Sequence, residues 1–319
     1  MNTIHLLAGI PGSGKSHYAK ELCKEKRAVL VATDTIRQRL FGSESKQKKT
    51  YVVFDEAFAE MEQALASGRN VVFDATNVSR DRRHKFLKRF KDVPVECHVC
   101  AVPYETARER IQARKRRLDD KIMIKYAKNF EFPVCGEGFT DLHLIHVQGE
   151  TKLERVRLEQ LLASKPDHTD LFGYLSVNPY FEIMLGFDQE NPHHSKTLSE
   201  HTHAVFDYIN AFYEGRHLLA MQLAALFHDA GKPLCKVWKE NRGYYSYYGH
   251  EHVSASIACQ VLKDLGYEDD FVLHVVHLVE FHMDILHGGD AGASNIYHLL
   301  GEDLLAELYF FAEADTYAK

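Results

Sequence analysis

The chain of 319 residues predicts two domains, each long enough to bury its own core. Its apolar runs fall short of the ~20 residues of a membrane helix, and its start does not resemble a signal peptide. Its six cysteines are expected to be reduced thiols, so we expect a cytoplasmic protein with no membrane partner.

The formal net charge of −6 hides an asymmetry between the two halves. Residues 1–160 carry 30 basic and 22 acidic residues, a balance of +8, whereas residues 161–319 carry 9 and 23, a balance of −14. The later half also holds 14 of the 20 histidines. A basic half suits a polyanionic ligand, and an acidic half rich in histidine suits metal cations.

The first half alternates strand and helix patterns, which predicts an α/β domain with a mostly parallel sheet. Predicted strands cover 3–8, 28–32, 70–74, 95–101 and 141–147. Predicted helices cover 15–26, 34–41, 50–67, 80–91, 104–117 and 120–129. In such a sheet ligands bind at the carboxyl ends of the strands, so candidate residues are sought there.

The segment G-I-P-G-S-G-K-S at residues 9–16 fits the phosphate-loop pattern G-x-x-x-x-G-K-[ST], between a predicted strand and a predicted helix. Its glycines allow backbone amides to face a polyphosphate. Lys15 can reach the β- and γ-phosphates, and the Ser16 hydroxyl can ligate Mg²⁺. We therefore predict binding of ATP, or another nucleoside triphosphate, with Mg²⁺. The predicted nucleotide-binding residues of this loop are Gly9, Gly12, Ser13, Gly14, Lys15 and Ser16.

Polar residues follow the next two strands. Asp34 and Arg37 lie three positions apart at a helix start and so share a helix face. Asp34 can accept a proton from an attacking hydroxyl while Arg37 holds a phosphate; the alternative is a capping aspartate with an exposed arginine. Asp74 ends the third strand, where it can hold Mg²⁺ through water or be a structural residue.

Two basic helices follow. Residues 80–91 are predicted to form a basic helix with a solvated face. After the fourth strand, Arg110 and Arg114 share one face of a cationic helix. Above a phosphate loop they could neutralise the transferring phosphoryl group; the alternative is an exposed run of charge.

Together the phosphate loop, D34-x-x-R37, D74-x-T-N77 and R110-x-x-x-R114 resemble the kinase domain of phage-type 5′-OH polynucleotide kinases, over about residues 1–150. The resemblance implies an adenylate-kinase-like fold. It implies that Asp34 is the general base on the 5′-OH and that Arg37 binds the phosphate on the acceptor's 3′ side. It also implies that Arg110 and Arg114 belong to a lid.

Residues 163–170 are polar, contain Pro166 and lack periodicity, so they are the predicted linker between domains at 1–162 and 171–319. Beyond it, helical apolar spacing predicts an all-α domain. The predicted helices cover 199–214, 217–230, 250–265, 269–283 and 302–318.

Histidines lie on these helices, and imidazole and carboxylate groups from separate helices can converge on one or two divalent metals. The segments E-H-T-H at 200–203, H-D-A-G-K-P at 228–233, G-H-E-H at 249–252, E-F-H at 280–282 and A-D at 314–315 resemble the HD phosphohydrolase superfamily. That resemblance implies one metal held by His201, His228, Asp229 and Asp315, with His250 and His282 available for a second.

The same resemblance implies a catalytic role for Asp229 and places Lys232 on the scissile phosphate. It gives a substrate-facing position to His194, a role that His193 could equally fill. The metals we expect are Mn, Ni, Co, Fe or Zn. Taken singly, the histidines at 203, 252, 274 and 277 are more typical of core residues whose hydrogen bonds are satisfied.

The two resemblances predict a bifunctional enzyme that heals nucleic-acid ends, similar to fused HD and polynucleotide kinase enzymes. It would phosphorylate 5′-OH ends with an NTP and remove a 2′,3′-cyclic phosphate or a 2′/3′-phosphate. We expect RNA or DNA ends as substrates, RNA being favoured, and a separate ligase as a partner. The alternatives are a nucleoside or metabolite kinase fused to a nucleotidase or phosphodiesterase, and a non-catalytic nucleotide-sensing adaptor.

Overall fold

A computed structural model describes residues 2–44, 49–113, 118–149, 151–192 and 195–319. Its contacts divide the chain into two compact units. The first unit comprises Met1–Ala101, Glu105–Tyr126 and Pro133–Ile145, and the second comprises Val102–Tyr104, Ala127–Phe132 and His146–Lys319. The long continuous segment of the second unit thus begins at His146, whereas the sequence predicts a domain boundary at residue 162.

The first unit contains a five-stranded parallel sheet in the order β2-β3-β1-β4-β5. Its strands are β1 (Ile4–Ala8), β2 (Val29–Ala32), β3 (Val71–Asp74), β4 (Val95–Val99) and β5 (Asp141–Leu144). Its helices are α1 (Lys15–Lys26), α2 (Thr33–Phe41), α3 (Thr50–Ala66), α4 (Arg80–Arg89), α5 (Tyr104–Gln112) and α6 (Asp120–Ala127). The predicted α/β class and parallel sheet are confirmed.

Apolar side chains on both faces of the central strands hold the helices to this sheet. On one face Leu7 and Val72 pack against Leu22 of α1. On β3, Phe73 stacks on Phe86 of α4 with ring centroids 5.4 Å apart. Strands buried on both faces are typical of parallel sheets. This packing fixes the carboxyl end of β1, where the phosphate loop begins.

The second unit is largely helical, as predicted. Its helices are α7 (Arg155–Ala163), α8 (His168–Leu175), α9 (Pro179–Glu182), α10 (Leu198–Phe212), α11 (Leu218–Phe227), α12 (Lys232–Cys235), α13 (His250–Asp264), α14 (Asp269–Leu300) and α15 (Glu302–Tyr317). The sequence did not predict a small antiparallel hairpin of β6 (Val237–Lys239) and β7 (Tyr244–Ser246). No described helix is long and apolar enough to cross a bilayer.

Two features of the second unit differ from the sequence expectation. The segment 163–170 contains the end of α7 and the start of α8, which Asp167 caps by accepting a hydrogen bond from the Asp170 amide. Helix α14 continues past its predicted end at 283. Its backbone breaks at Gly289, whose φ of 52° and ψ of −146° suit glycine, so a kink replaces the expected terminus.

Candidate phosphate-handling sites

The phosphate loop has the backbone conformation that its glycines predict. Gly9, Gly12 and Gly14 have φ values of 152°, 86° and 100°. A Cβ atom on Gly12 would lie 2.3 Å from the Ala107 carbonyl oxygen, and one on Gly9 would lie 2.6 Å from the Cys100 carbonyl oxygen. Both the dihedral angles and the close packing therefore require glycine.

The helix start and the lysine of this loop face the same space. Helix α1 begins at Lys15, and its N-cap residue Gly14 has no side chain to cap the first amides, so they are available to an anion. The buried Lys15 side chain curls over the loop, and its Nζ donates to the Ile10 carbonyl at 2.8 Å and to Ser13 Oγ at 3.2 Å. Ser16 follows within the first turn of α1.

Asp34 and Arg37 meet on α2. Arg37 Nη1 lies 2.5 Å from Asp34 Oδ1, with the arginine side chain 7% exposed and the aspartate side chain 60% exposed. Arg37 Nε is buried and makes no hydrogen bond within the described part of the chain. The buried guanidinium thus holds an accessible carboxylate and keeps donor capacity for a further anion.

Strand register places Asp74 at the same edge of the sheet as the start of α2. Ala32 at the end of β2 pairs with Asp74 at the end of β3. Thr33 Oγ1 also donates to the Asp74 carbonyl oxygen at 3.3 Å. Asp74 and the start of α2, which carries Asp34, therefore lie next to each other at the carboxyl edge of the sheet, where ligand groups are expected.

Of the two predicted lid arginines, Arg110 lies beside the loop: a Cβ atom on Gly14 would be 3.9 Å from Arg110 Nη1. Arg114 lies outside the described residues. The sequence predicts a solvated face for the other basic helix, α4, but Arg83 on this helix is not exposed to solvent. It is fully buried and donates from Nε and Nη2 to the two carboxylate oxygens of Glu137, at 2.7 Å each.

In the second unit, four histidine nitrogens surround the Asp229 carboxylate. The Nε2 atoms of His201 and His228 lie 3.4 and 3.2 Å from Asp229 Oδ2. The Nε2 atoms of His250 and His282 lie 3.0 and 4.0 Å from Asp229 Oδ1. The nitrogens of each pair are 3.2 and 3.3 Å apart. Asp229 thus belongs to two groups of side chains whose ligand atoms are close enough to hold a metal ion. One group contains His201 and His228, and the other contains His250 and His282.

Backbone carbonyls fix the orientation of these rings. The Nδ1 atoms of His228, His250 and His282 lie 2.8, 3.0 and 2.7 Å from carbonyl oxygens three residues earlier in the chain. A carbonyl only accepts, so each Nδ1 carries the proton and each Nε2 presents its lone pair to the cluster. This is the second-sphere arrangement typical of metal-binding histidines.

Asp315 completes the first set from α15. Its Oδ1 lies 3.0 Å from His201 Nε2 and 3.9 Å from His228 Nε2. Burial opposes ionisation of Asp229, but His228 and Lys232 hold its pKa well below the usual range. Burial, together with His250 and His228, lowers the pKa of His282 to about 3, so its imidazole is neutral.

Lys232 has two contacts, only one of them expected. Its Nζ lies 2.6 Å from Asp229 Oδ2 and donates to Gln189 Oε1 at 2.9 Å. Tyr247 covers this lysine, with Nζ 5.7 Å from the ring centroid, and its hydroxyl donates to the Gln189 carbonyl. The sequence analysis missed Gln189, which belongs to no motif, and the aromatic segment 241–249 that contains Tyr247 is more typical of a packed loop than of a pocket wall. His193 and His194 lie outside the described residues.

The residues present fit divalent transition metals. Neutral imidazoles with carboxylates are the ligands that Mn, Fe, Co, Ni and Zn share. Asp229 Oδ2 is buried and, apart from the Lys232 ammonium 2.6 Å away, faces the Nε2 atoms of His201 and His228, a position that also suits a metal ion. All six expected ligands, His201, His228, Asp229, His250, His282 and Asp315, lie in this cluster.

Two known protein families match separate parts of the chain. Residues 4–133 match the AAA domain family, and residues 194–319 match the HD domain family. The chain joins a P-loop kinase-type domain to an HD domain. The P-loop domain contains the Asp34–Arg37 pair, and the HD domain contains the Asp229 cluster.

The chain is also similar to two curated tRNA enzymes. It is 34% identical over 147 residues to the CC-adding tRNA nucleotidyltransferase of Thermus thermophilus, covering 46% of this chain and 33% of the relative. It is 34% identical over 100 residues to the A-adding tRNA nucleotidyltransferase of Deinococcus radiodurans, covering 31% and 23%. The chain thus spans a third or less of these relatives. The solved Pnkp1/Rnl/Hen1 complex is 24% identical, covering 37% of this chain and 41% of that one, with a TM-score of 0.33.

Proposed function

We propose that the chain heals broken RNA ends. Its P-loop domain phosphorylates a 5′-OH end with ATP or another NTP, and its HD domain removes a 2′,3′-cyclic phosphate or a 2′/3′-phosphate. The observation that carries the proposal is that one chain holds both the Asp34–Arg37 pair and the Asp229 cluster. RNA broken by transesterification leaves a 5′-OH and a 2′,3′-cyclic phosphate, so these two activities restore ends that a separate ligase can join.

In the kinase reaction, the exposed Asp34 carboxylate accepts the proton of the attacking 5′-OH. Arg37 positions that carboxylate and binds the phosphate on the 3′ side of the acceptor nucleotide through its remaining donors. Lys15 and Arg110 stabilise negative charge on the transferring phosphoryl group. Ser16 and Asp74 are the residues that would hold Mg²⁺, which when bound neutralises charge on the phosphate oxygens.

In the hydrolase reaction, the six clustered ligands would hold one or two divalent metals, which when bound lower the pKa of a water and polarise the phosphoryl oxygens. Lys232 binds a phosphate oxygen beside the cluster and so orients the scissile phosphate. Gln189 and Tyr247 hold the lysine in place. The carboxylate of Asp229 connects the two groups of ligands, because Oδ2 faces His201 and His228 and Oδ1 faces His250 and His282.

One further observation supports RNA as the substrate, and a second limits how the HD domain contacts it. The curated relatives are named for tRNA, and their similarity to this chain favours RNA over DNA. The half after residue 160 has a formal net charge of −14, which disfavours long contacts with nucleic acid. An HD site that receives only a terminal phosphate is compatible with this charge, because little of the strand needs to touch it.

One RNA substrate tests both activities. An oligonucleotide with a 5′-OH and a 2′,3′-cyclic phosphate is incubated with ATP and Mg²⁺, Mn²⁺ or Ni²⁺, and both ends are analysed. The matched variants are Asp34→Asn and Asp229→Asn, which keep side-chain size and remove one charge each. We expect the first to stop only 5′ phosphorylation and the second to stop only 3′-end hydrolysis. An unmodified 5′ end with the parent chain would contradict the kinase half.

A further inference from the structure

A second group of metal-ligating side chains lies in the first unit, on one face of the parallel sheet. The β1–β4 register places His5 beside Glu96, and His98 is two residues further along β4, so all three side chains project to the same face. His5 and His98 are buried, and Glu96 is partly exposed. Neither the phosphate loop nor the HD site uses any of them.

Their ligand atoms have the spacing of a coordination sphere. His5 Nδ1 lies 3.2 Å from His98 Nε2 and 3.1 Å from Glu96 Oε2, and the third side of the triangle, from His98 Nε2 to Glu96 Oε2, is 3.8 Å. Tetrahedral zinc with bonds of about 2.0–2.1 Å to nitrogen and oxygen separates its ligand atoms by about 3.3 Å. The three atoms can therefore share one ion after small movements.

Hydrogen bonds alone satisfy these three ligand atoms poorly. If His5 Nδ1 carries a proton, that proton has two acceptors at almost equal distance, Glu96 Oε2 and His98 Nε2. If His98 Nε2 donates instead, the lone pair of His5 Nδ1 faces the Glu96 carboxylate. The first arrangement divides one proton between two acceptors, and the second leaves two lone pairs facing each other in a mostly buried place; a cation would relieve both.

The surroundings prepare the two imidazoles as ligands. Burial, with His143 and His5 nearby, lowers the pKa of His98 to about 3, and burial also lowers the pKa of His5, so both rings are neutral. Tyr18 Oη lies 3.0 Å from His98 Nδ1 and can accept its proton, which leaves Nε2 free to coordinate. His143 Nε2 lies 3.4 Å from Glu96 Oε2 and can orient that carboxylate.

We propose that His5, Glu96 and His98 bind a divalent transition-metal ion of the Zn²⁺ type, with water in the remaining position. Two imidazoles and one carboxylate suit such an ion. The ion would connect β1 to β4, and Tyr18 would connect it to α1. Because β1 leads into Gly9 and α1 starts at Lys15, metal binding stabilises both elements that carry the phosphate loop.

The test measures how many zinc ions bind per full chain when the HD cluster can no longer bind metal. The background protein carries His228→Ala and Asp229→Ala. A second protein carries Glu96→Gln in addition, a substitution that keeps side-chain size and removes one ligand charge. Each protein is stripped with chelator, loaded with Zn²⁺, desalted and analysed by mass spectrometry. We expect about one equivalent of zinc in the background and a loss of ~10-fold or more in affinity with Glu96→Gln.

Two further readouts separate a metal site from a structural hydrogen-bond network. Zn²⁺ should raise the unfolding temperature of the background protein and not that of Glu96→Gln, and Co²⁺ should give a visible tetrahedral spectrum only in the background. His84→Gln, which removes an exposed histidine of the same unit, is the matched control and should retain the metal. Equal zinc retention with and without Glu96→Gln, or no retained zinc and no thermal shift in the background, would overturn the proposal.

Discussion

Lys232 Nζ lies 2.6 Å from Asp229 Oδ2, the carboxylate oxygen that also faces His201 and His228. The ammonium group therefore offsets negative charge in the same cluster whose geometry suits a cation. It also has Gln189 as a second, neutral partner. Under the proposed function this pair divides two tasks, because Asp229 would bind metal and Lys232 would bind the phosphate.

The first prediction separates these two tasks by substitution. Asp229→Asn should lose both bound metal and phosphohydrolase activity, because the bridging charge is removed. Lys232→Met should keep the metal and lower kcat by about 10²- to 10³-fold, since one phosphate-binding charge is lost. Metal analysis and end-group analysis of RNA measure the two effects. Lys236→Met removes a neighbouring lysine that pairs with Glu190 and should change neither. Loss of metal in Lys232→Met would refute the separation.

The second prediction concerns acceptor length. If Arg37 binds the phosphate on the 3′ side, nucleoside 3′-monophosphates and oligonucleotides should be phosphorylated and free nucleosides should not. Arg37→Ala should then lower kcat/KM for the phosphate-bearing acceptors by ~10-fold or more. Steady-state kinetics with the three acceptor classes provide the measurement.

Arg39→Ala is the matched control for this experiment. Arg39 lies on the same helix but pairs with Glu56 and Glu60 on the surface, so its removal should leave the kinetics unchanged. Free nucleosides phosphorylated as efficiently as oligonucleotides would instead favour a small-molecule kinase joined to a nucleotidase or phosphodiesterase.

The sequence predicts the parts of both sites that belong to local patterns. The phosphate loop is fixed by residues a few positions apart, so its spacing indicates its chemistry, whereas the role of the His228–Asp229 doublet follows from the resemblance to the HD superfamily. The contacts of Gln189 and Tyr247 with Lys232 could not be found this way, because both residues reach the lysine from distant segments and carry no ionised group. The His5–Glu96–His98 triangle depends on strand order and register, which the sequence pattern did not specify.

The same limit applies to the buried ion pair of the first unit. Arg83 stands in a run of basic residues, which favours an exposed face, yet its partner Glu137 lies 54 positions away in the chain. Burial of a charged residue is decided by such distant partners. The predicted helix itself is present, as α4, because helix formation depends on nearer neighbours.

The third prediction tests the energetic role of that pair. Arg83→Met should destabilise the chain by about 3–5 kcal/mol, because it leaves the Glu137 carboxylate buried without its main partner. Adding Glu137→Leu removes the unpaired charge and should recover part of the loss. Denaturant unfolding of the single and double variants measures this coupling, with the exposed Arg82→Met as the control. A double variant less stable than Arg83→Met would contradict the argument.

The fourth prediction is a pH dependence of stability at Glu307 in α15. Its Oε1 accepts from the Tyr213 hydroxyl at 2.8 Å and from His217 Nδ1 at 2.7 Å, and its Oε2 accepts from His274 Nε2 at 2.7 Å. Burial opposes ionisation, but hydrogen bonds from these three side chains lower the pKa of Glu307 from 4.5 to about 2. Since the folded-state pKa is the lower one, the carboxylate contributes stability above pH 4.5, and this contribution is lost as the pH falls towards about 2.

Glu307→Gln should therefore cost about 2 kcal/mol of unfolding free energy at neutral pH, as expected for a carboxylate with several hydrogen-bond donors. The difference between variant and parent should shrink as the pH falls from 4.5 towards about 2. Urea unfolding across this range measures it, and Glu302→Gln, an exposed carboxylate on the same helix, should show no such trend. A difference that grew between pH 4.5 and about 2 would show that the three donors do not favour the ionised form of Glu307.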